Sequence, residues 1–294
     1  MNIIKIGFLL LLLSIGSGAI AAPKKSLLHG QDSLNLPTDK IFLRLKAERA
    51  GLIIFRRDIR NAKVEYFSGP DKLGEGTTGK NGVSVFPIKE LPIGTHQFTA
   101  QFKNKKKFSA LPAKITVTVI SANRPVAISD IDHTISNMGA KDFLFRPIEE
   151  IPTLPNAVEG IESLALNHQV VYLTARDDTF TSKTDRWMEY NQFVAGPVYF
   201  WDFGFGNGVP GNHGEYKSGV IARMKKKFNK VLIGVGDKPH DVAAYREHGL
   251  RAYYIGKNLE EPLPSGTIII KSWDAITAHL KKNPIGSLAG DPTP

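Results

Sequence analysis

The sequence predicts an α/β protein with a doubly wound parallel sheet, preceded by a small all-β sandwich domain. In the second half of the chain, short apolar runs alternate with segments of helical periodicity, the pattern of parallel strands joined by helices. Before them, residues 36–122 alternate apolar and polar positions between turn clusters, as the strands of an antiparallel sandwich do. We therefore expect two domains, divided near residues 121–125.

The apolar runs of the second half are short and rich in β-branched residues, as buried parallel strands are. They lie at 125–129, 169–173, 197–201, 231–235, 251–255 and 267–270. Helical patterns lie at about 155–167, 181–191, 216–228, 239–248 and 272–282. The gaps between strands suit crossover connections. This domain is expected to span 123–282.

The first half is predicted to supply strands at 63–67, 83–86, 96–102 and 114–120. Their pattern of short alternating strands separated by turns resembles bacterial immunoglobulin-like or transthyretin-like modules. The region contains no catalytic constellation, so we expect it to support the second domain or to bind a partner or surface.

The two ends of the chain differ in composition from the two predicted domains. Residues 1–21 combine Lys5, an apolar stretch and a small-x-small pattern, which predicts a cleaved secretory signal peptide and an exported protein, periplasmic or secreted. An uncleaved membrane anchor is the alternative. The chain has no cysteine, so no disulfides are expected. Residues 283–294, rich in Pro and Gly, are expected to form a flexible tail.

The chain is basic, with 38 Lys and Arg against 28 Asp and Glu and a formal net charge of +10. This balance favours anionic partners. Lysine clusters at 103–107 and 225–227 would suit peripheral contact with an anionic membrane, although a solvated face is the commoner explanation of such clusters.

Polar side chains follow the apolar runs at four places, so a parallel sheet would bring them to one edge, where open α/β sheets place their chemistry. An isolated Asp-x-Asp pair is common in turns and helix caps. Four polar segments in this order, each after an apolar run, favour a shared active site instead. The residues are Asp130 and Asp132, Thr174, Lys217, and Asp237 with Asp241.

These residue types suit phosphoryl transfer. One carboxylate of the Asp130 and Asp132 pair can attack phosphorus while the other protonates the leaving oxygen. Lys217 would neutralise charge on the transferring group, and Thr174 would donate a hydrogen bond to it. Asp237 would complete a Mg²⁺ site made of oxygen ligands.

Over about residues 123–282 the chain resembles the haloacid dehalogenase superfamily of aspartyl-phosphate phosphatases. DIDHT matches its DxDxT signature, and Thr174, Lys217 and the acidic pair match its remaining motifs. The strings SDIDHTI, VVYLTAR and GDKPHDVAAYREHG are similar to lipin-like and related bacterial phosphatidate phosphatases. Two departures are His133, where Gly or Asp is usual, and Thr174, where Ser is usual.

The resemblance implies a role for each residue. Asp130 would form the aspartyl phosphate, and Asp132 would act as general acid and then general base. Mg²⁺ would be held by Asp130, the main-chain carbonyl of Asp132 and Asp237, with Asp241 orienting the metal shell.

Two more residues are expected near the substrate. Arg176 would grip a substrate phosphate or pair with Asp177 or Asp178. His133 would lie at the pocket mouth.

Little room is left for a cap over the site, because residues 136–154 form a short predicted loop and 177–216 must already supply a helix and a strand. A capless site suits a phosphate on something large, such as a lipid headgroup, a polynucleotide end or a protein. The loop 202–211 would bring Phe203 and Phe205 to the rim, or would serve as a connector.

The sequence thus predicts an Mg²⁺-dependent phosphatase of phosphomonoesters, acting on phosphatidate or a related lipid phosphate. A phosphatase of nucleotides or polynucleotide ends is the alternative enzyme, for which the positive charge is also suitable. A surface partner-binding protein with a vestigial phosphatase fold is the alternative from another class.

Overall fold

The computed structural model describes residues 22–51, 56–201, 212–257, 261–286 and 291. Within them, an N-terminal β-rich region precedes a mixed α/β region built on a parallel sheet. The predicted signal peptide and the loop 202–211, with Phe203 and Phe205, lie outside the described residues.

The N-terminal region consists of two five-stranded sheets around one apolar core. One sheet has the order β4-β3-β1-β9, with β7 also paired to β3, and the other has the order β2-β10-β8-β5-β6. The strands are β1 (Lys24–Gln31), β2 (Ser33–Asn35), β3 (Phe42–Arg49), β4 (Arg57–Asp58), β5 (Lys63–Ser68), β6 (Asp71–Thr77), β7 (Val83–Pro87), β8 (Gly94–Phe102), β9 (Phe108–Ser109) and β10 (Ala113–Val119).

Strands β1 and β2 lie before residue 36, so the β-rich region starts earlier than the sequence pattern indicated. The apolar residues of β1 are interrupted by His29 and Gly30, which hides its alternation from a sequence pattern. Leu28 of β1 joins the core formed by Leu43, Val64 and Val117 of other strands.

The second region has a six-stranded sheet of order β13-β12-β11-β14-β15-β16, with every pair parallel. Its strands are β11 (Val126–Ser129), β12 (Gln169–Asp177), β13 (Val198–Trp201), β14 (Val231–Gly236), β15 (Arg251–Tyr254) and β16 (Ile268–Ile269). Its helices are α1 (Ala140–Phe145), α2 (Ala157–Ala165), α3 (Thr181–Tyr190), α4 (His213–Lys227), α5 (Pro239–Glu247) and α6 (Trp273–Lys282).

Two apolar clusters pack against this sheet. Ala127 of β11 belongs to a cluster with residues of α2, α3 and α6, whereas its neighbours Val126 and Ile128 belong to a cluster with residues of α4 and α5. Because successive side chains of a strand point to opposite faces, helices cover both faces of the sheet.

The predicted strands and helices of this region agree with the observed ones to within a few residues, with three differences. Strand β12 continues to Asp177 rather than ending at 173. The expected loop 136–154 contains helix α1 and a short 3-10 turn, Ile148–Glu150. In the predicted tail, Asp291 pairs with the buried guanidinium of Arg251, a contact that the sequence did not indicate.

Several polar contacts join the two regions. Asp32, between β1 and β2, accepts hydrogen bonds from the backbone N–H of Thr116 (2.6 Å) in the β-rich region and of Val198 (2.9 Å) in β13. Lys114 of β10 pairs with Glu189 of α3. The edge of the parallel sheet is therefore bonded to the β-rich region.

None of the helices in the described part of the chain is both long and apolar enough to cross a membrane.

Candidate active site at the carboxyl edge of the parallel sheet

Asp130 directly follows β11 and is buried, with 4% of its surface exposed. Its Oδ1 accepts a 2.7 Å hydrogen bond from Nζ of Lys217, in the first turns of α4. The same ammonium donates to Oδ1 of Asp241 at 2.6 Å. A buried lysine thus bridges two carboxylates from different elements.

Asp237 follows β14, and α5 begins two residues later. Asp241 lies in the first turn of that helix, where its Oδ2 accepts a hydrogen bond from the backbone N–H of Lys238. A Cβ at Gly236 would lie 2.6 Å from Cβ of Asp241, so glycine at the end of β14 makes room for this carboxylate.

The three carboxylates of Asp130, Asp237 and Asp241 offer oxygens within 4.8 Å of one another. Oδ1 of Asp237 is buried without a hydrogen-bond partner, and Oδ2 lies 3.1 Å from Nζ of Lys238. An orphaned buried oxygen is costly unless something binds it. An all-oxygen donor set with an unpaired carboxylate oxygen fits Mg²⁺.

The site carries an excess of negative charge that shifts the pKa of its groups. Burial raises the pKa of Asp130 to about 8, opposed by Lys217 and reinforced by the carboxylates of Asp241 and Asp237. Burial also raises the pKa of Asp237, with Asp241 adding to the effect. Burial disfavours the charge of Lys217, but Asp130 and Asp241 outweigh it and hold its pKa well above the ordinary value. A divalent cation would relieve this repulsion.

Asp132 forms a bidentate pair with Arg176 of β12. Nε of Arg176 donates to Oδ2 and Nη2 to Oδ1, both at 2.9 Å. Nη1 donates to Oγ1 of Thr184 in α3, and the ring of Phe143 lies 3.8 Å from the guanidinium carbon. Arg176 pairs here with Asp132, whereas the sequence had suggested a substrate phosphate, Asp177 or Asp178.

Thr174 and His133 are placed differently from each other. Thr174 is buried inside β12, and its Oγ1 accepts the backbone N–H of Arg176 at 3.2 Å; the adjacent Ala175 lines the cavity. His133 is exposed at the cavity with φ of 53°, a left-handed conformation that glycine adopts more readily. The resemblance had marked this position as one where Gly or Asp is usual.

A cavity of about 280 Å³ opens at this edge of the sheet. Asp130, Asp132, Arg176, Lys217, Asp237 and Asp241 line it together with His133. The sequence reasoning missed further lining residues, which are Gly139, Ala140, His213, Lys238 and His240. Lys238 and His240 stand inside the acidic motif and were recoverable from it, but nothing in the sequence singles out His213.

The arrangement supplies the parts of an acid–base and nucleophilic reaction on a phosphate. It has a buried carboxylate held by an ammonium, a second carboxylate two residues later, and a cluster of oxygens for a hard cation. The lining has four carboxylates against the cations Arg176, Lys217 and Lys238, so a bound metal cation would be needed before the cavity favours an anionic ligand.

Residues 128–256 match the family model of the LNS2 domain of PITM 1-3, a segment of less than half of the chain. This domain has a haloacid dehalogenase-like phosphatase fold related to lipins. Over these residues the chain is similar to that family, and the match supports a phosphatase-type domain. The matched segment includes all the predicted site residues.

Solved structures resemble the chain only distantly. An RNA repair complex, Pnkp1/Rnl/Hen1, shares 16% identity over 46% of this chain and 44% of its own, with a TM-score of 0.38. An uncharacterized protein from Listeria monocytogenes serotype 4b shares 14% over 54% and 97%, with a TM-score of 0.39. An L-2-haloacid dehalogenase shares 11% over 48% and 68%, with a TM-score of 0.32.

The chain thus spans less than half of the RNA repair chain. No curated protein matches the chain.

Proposed function

We propose that the protein is an Mg²⁺-dependent phosphatase that hydrolyses phosphomonoesters through an aspartyl phosphate on Asp130. The observation that carries the proposal is the buried Asp130 carboxylate, held by Lys217 beside Asp237 and Asp241 at the floor of a polar cavity. Asp130 lies at the carboxyl edge of a parallel sheet, where open α/β sheets bind their ligands, so its carboxylate is placed to attack a bound phosphate.

In the first step an oxygen of Asp130 forms a bond to phosphorus, and the bond from phosphorus to the ester oxygen breaks. Asp132 gives its proton to the departing alkoxide, which leaves as an alcohol. Lys217 stays bound to the Asp130 carboxylate and fixes its direction. Arg176 donates to both oxygens of Asp132 and holds this carboxyl group in one orientation at the cavity.

In the second step Asp132 removes a proton from water, and the water oxygen attacks phosphorus. The bond from phosphorus to Asp130 breaks, which releases inorganic phosphate and restores both carboxyl groups. Asp130, Asp237 and the main-chain carbonyl of Asp132 would hold Mg²⁺, with Asp241 orienting its shell. The ion would supply neutralising charge between Asp130 and the phosphate.

We further propose phosphatidate or a related lipid phosphate as substrate. A cavity of about 280 Å³ accommodates a phosphate headgroup but leaves acyl chains outside it. The lipin-related family match and the net charge of +10 support a lipid phosphate at an anionic surface.

The remaining parts of the proposal concern architecture and location. The parallel-sheet region is proposed as a doubly wound, capless phosphatase domain over 123–282, attached to an immunoglobulin-like or transthyretin-like sandwich. Residues 1–21 are proposed as a signal peptide for export to the periplasm or beyond.

A phosphate-release assay across phosphatidate in mixed micelles, nucleotides and sugar phosphates tests these proposals. We expect phosphatidate to be hydrolysed fastest, chelation to stop release, and Mg²⁺ to restore it. In Asp237→Ala the Mg²⁺ requirement should rise sharply or turnover should vanish. Equal turnover of soluble esters would reject the lipid substrate alone, and full activity in excess chelator would reject metal dependence.

A further inference from the structure

A cation from the β-rich region reaches the active-site strand. Arg56, just before β4, donates from Nη2 to both oxygens of Asp177, at 2.6 and 2.9 Å, and from Nη1 to Oδ1 of Asp178 at 2.9 Å. Nη1 also donates to Glu48 of β3 at 2.5 Å. The Arg56 side chain is 2% exposed, so the contact is sealed from solvent.

The two acidic residues gripped by Arg56 directly follow Arg176, which holds Asp132. They form the turn between β12 and α3, and Asp177 caps that turn by accepting the N–H and hydroxyl of Thr179. On the far side of the turn, Thr184 of α3 accepts from Arg176. The turn held by Arg56 therefore connects the backbone of Arg176 to a residue that fixes its side chain.

From this chain of contacts we infer that Arg56 is a positioning residue for the reaction. By clamping Asp177 and Asp178, it fixes the end of β12 so that Arg176 presents the Asp132 carboxylate to the cavity. Arg56 does not line that cavity. The role of Arg56 in catalysis rests on the proposed function. The clamp itself, which is the contact of Arg56 with Asp177 and Asp178, is a structural property of the chain.

The contact of Arg56 with Asp177 and Asp178 is not explained by a need to attach the two regions to each other, because other contacts already do so. Asp32 already bonds both regions through Thr116 and Val198, and Lys114 pairs with Glu189 across the same boundary. Arg56 holds two consecutive carboxylates with two different nitrogens, Nη2 on Asp177 and Nη1 on Asp178, and so fixes the turn at two points, which a single contact does not. Burying its charge is costly, so its placement against this turn is expected to serve orientation.

Arg56→Gln in the full chain tests the inference, with Lys114→Gln as the matched control. The control also removes a cation that bridges the two regions, but its partner lies on α3 away from the Asp177 turn. We expect kcat to fall about tenfold in Arg56→Gln with little change in KM, because misplacing Asp132 affects proton transfer rather than binding. Lys114→Gln should keep kcat within about twofold.

Two further variants separate orientation from folding. Arg56→Lys keeps the charge but has a single nitrogen in place of the two that hold Asp177 and Asp178, so its kcat should lie between those of the wild type and Arg56→Gln. In a double-mutant cycle, Asp177→Asn added to Arg56→Gln should cost less than the sum of the single effects, because both remove one contact. Additive effects, or an Arg56→Gln kcat equal to that of Lys114→Gln, would overturn the inference.

Hydrogen–deuterium exchange gives a measurement independent of activity. Arg56→Gln should speed exchange in peptides covering 174–180 and 130–134, and Lys114→Gln should leave both unchanged. Unchanged exchange in Arg56→Gln would reject the clamp even if the wild type releases no phosphate. If the wild type hydrolyses no phosphomonoester but Arg56→Gln speeds exchange in these peptides, the proposed function is rejected and the clamp is retained.

Discussion

Two buried clusters of charge lie within the same molecule and differ in how their carboxylates meet cations. In the first, Asp130, Asp237 and Asp241 converge around Lys217 and face a cavity. In the second, at the boundary of the two regions, each carboxylate of Glu48, Asp177 and Asp178 lies against Arg56, and Lys46 lies 2.8 Å from Glu48.

The pKa of Asp130 in the first cluster and that of Glu48 in the second shift in opposite directions although both groups are buried, whereas burial raises the pKa of Asp177 in the second cluster. In the first, burial and neighbouring carboxylates raise the pKa of Asp130 to about 8. In the second, burial would raise the pKa of Glu48, but His29 and Lys46, at 3.4 and 2.8 Å from its carboxylate, and the charge of Arg56 lower it to about 2. Converging carboxylates store repulsion that a ligand can relieve, whereas paired carboxylates hold structure together.

The largest expected difference between the clusters is in activity. Asp130→Asn should abolish turnover because an amide cannot form the acyl phosphate, while the fold persists since the change removes a repelling charge. Phosphate release and circular dichroism measure the two effects. Glu75→Gln, which breaks a surface ion pair with Lys72 and Lys103, serves as control and should retain activity. Turnover near the wild-type rate in Asp130→Asn would exclude Asp130 as nucleophile.

Asp132→Asn should have the next largest effect. It keeps the shape of the side chain but removes general acid–base help, so kcat should fall by roughly 10²–10⁴. The loss should be smaller for an ester with a good leaving group, which needs less protonation. An equal loss for good and poor leaving groups would argue that Asp132 does not protonate the leaving oxygen.

The first cluster can also be broken through its cation. Lys217→Met leaves Asp130 and Asp241 buried without their partner, so we expect a loss of about 3–5 kcal/mol in the free energy of unfolding. Urea denaturation measures this loss, and added Mg²⁺ should recover part of it by binding the two carboxylates that have lost their ammonium partner. A variant as stable as the wild type would show that the carboxylates do not depend on this ammonium.

Much of this arrangement was predictable, because local patterns determine it. The apolar runs identify β11, β12 and β14, and a parallel sheet must bring the residues after them to one edge. The sequence therefore anticipated that Asp130, Lys217 and Asp241 would meet. It also placed Thr174 at a strand end, whereas β12 continues past it and its hydroxyl binds the backbone.

Contacts set by the packing of distant segments were not predictable. Arg56 and Asp177 are 121 residues apart, and no periodicity indicates which cation of the β-rich region meets the turn after β12. The pairing of Arg176 with Asp132 likewise depends on the distance between neighbouring strands and on Phe143 of α1, a helix in a segment expected to be a loop.

The smallest expected effect tests the second cluster through pH. Because the folded-state pKa of Glu48 lies below its ordinary value of 4.5, its contribution to stability is present above pH 4.5 and lost as pH falls toward 2. In Glu48→Gln the free energy of unfolding should therefore depend less on pH in that window, by up to about 1.4 kcal/mol per pH unit. Chemical denaturation at several pH values measures this. An unchanged slope would show that Glu48 is not held as a charged partner.

Trapping of the covalent intermediate tests the central claim most directly. Borohydride added during turnover, with Mg²⁺ and the phosphomonoester hydrolysed fastest, reduces an acyl phosphate to an alcohol, so an aspartyl phosphate becomes homoserine. Peptide mass spectrometry should find homoserine at position 130 in the wild type, and none without substrate or in Asp130→Asn. Turnover with no homoserine at position 130, or with homoserine at another aspartate, would contradict Asp130 as the nucleophile.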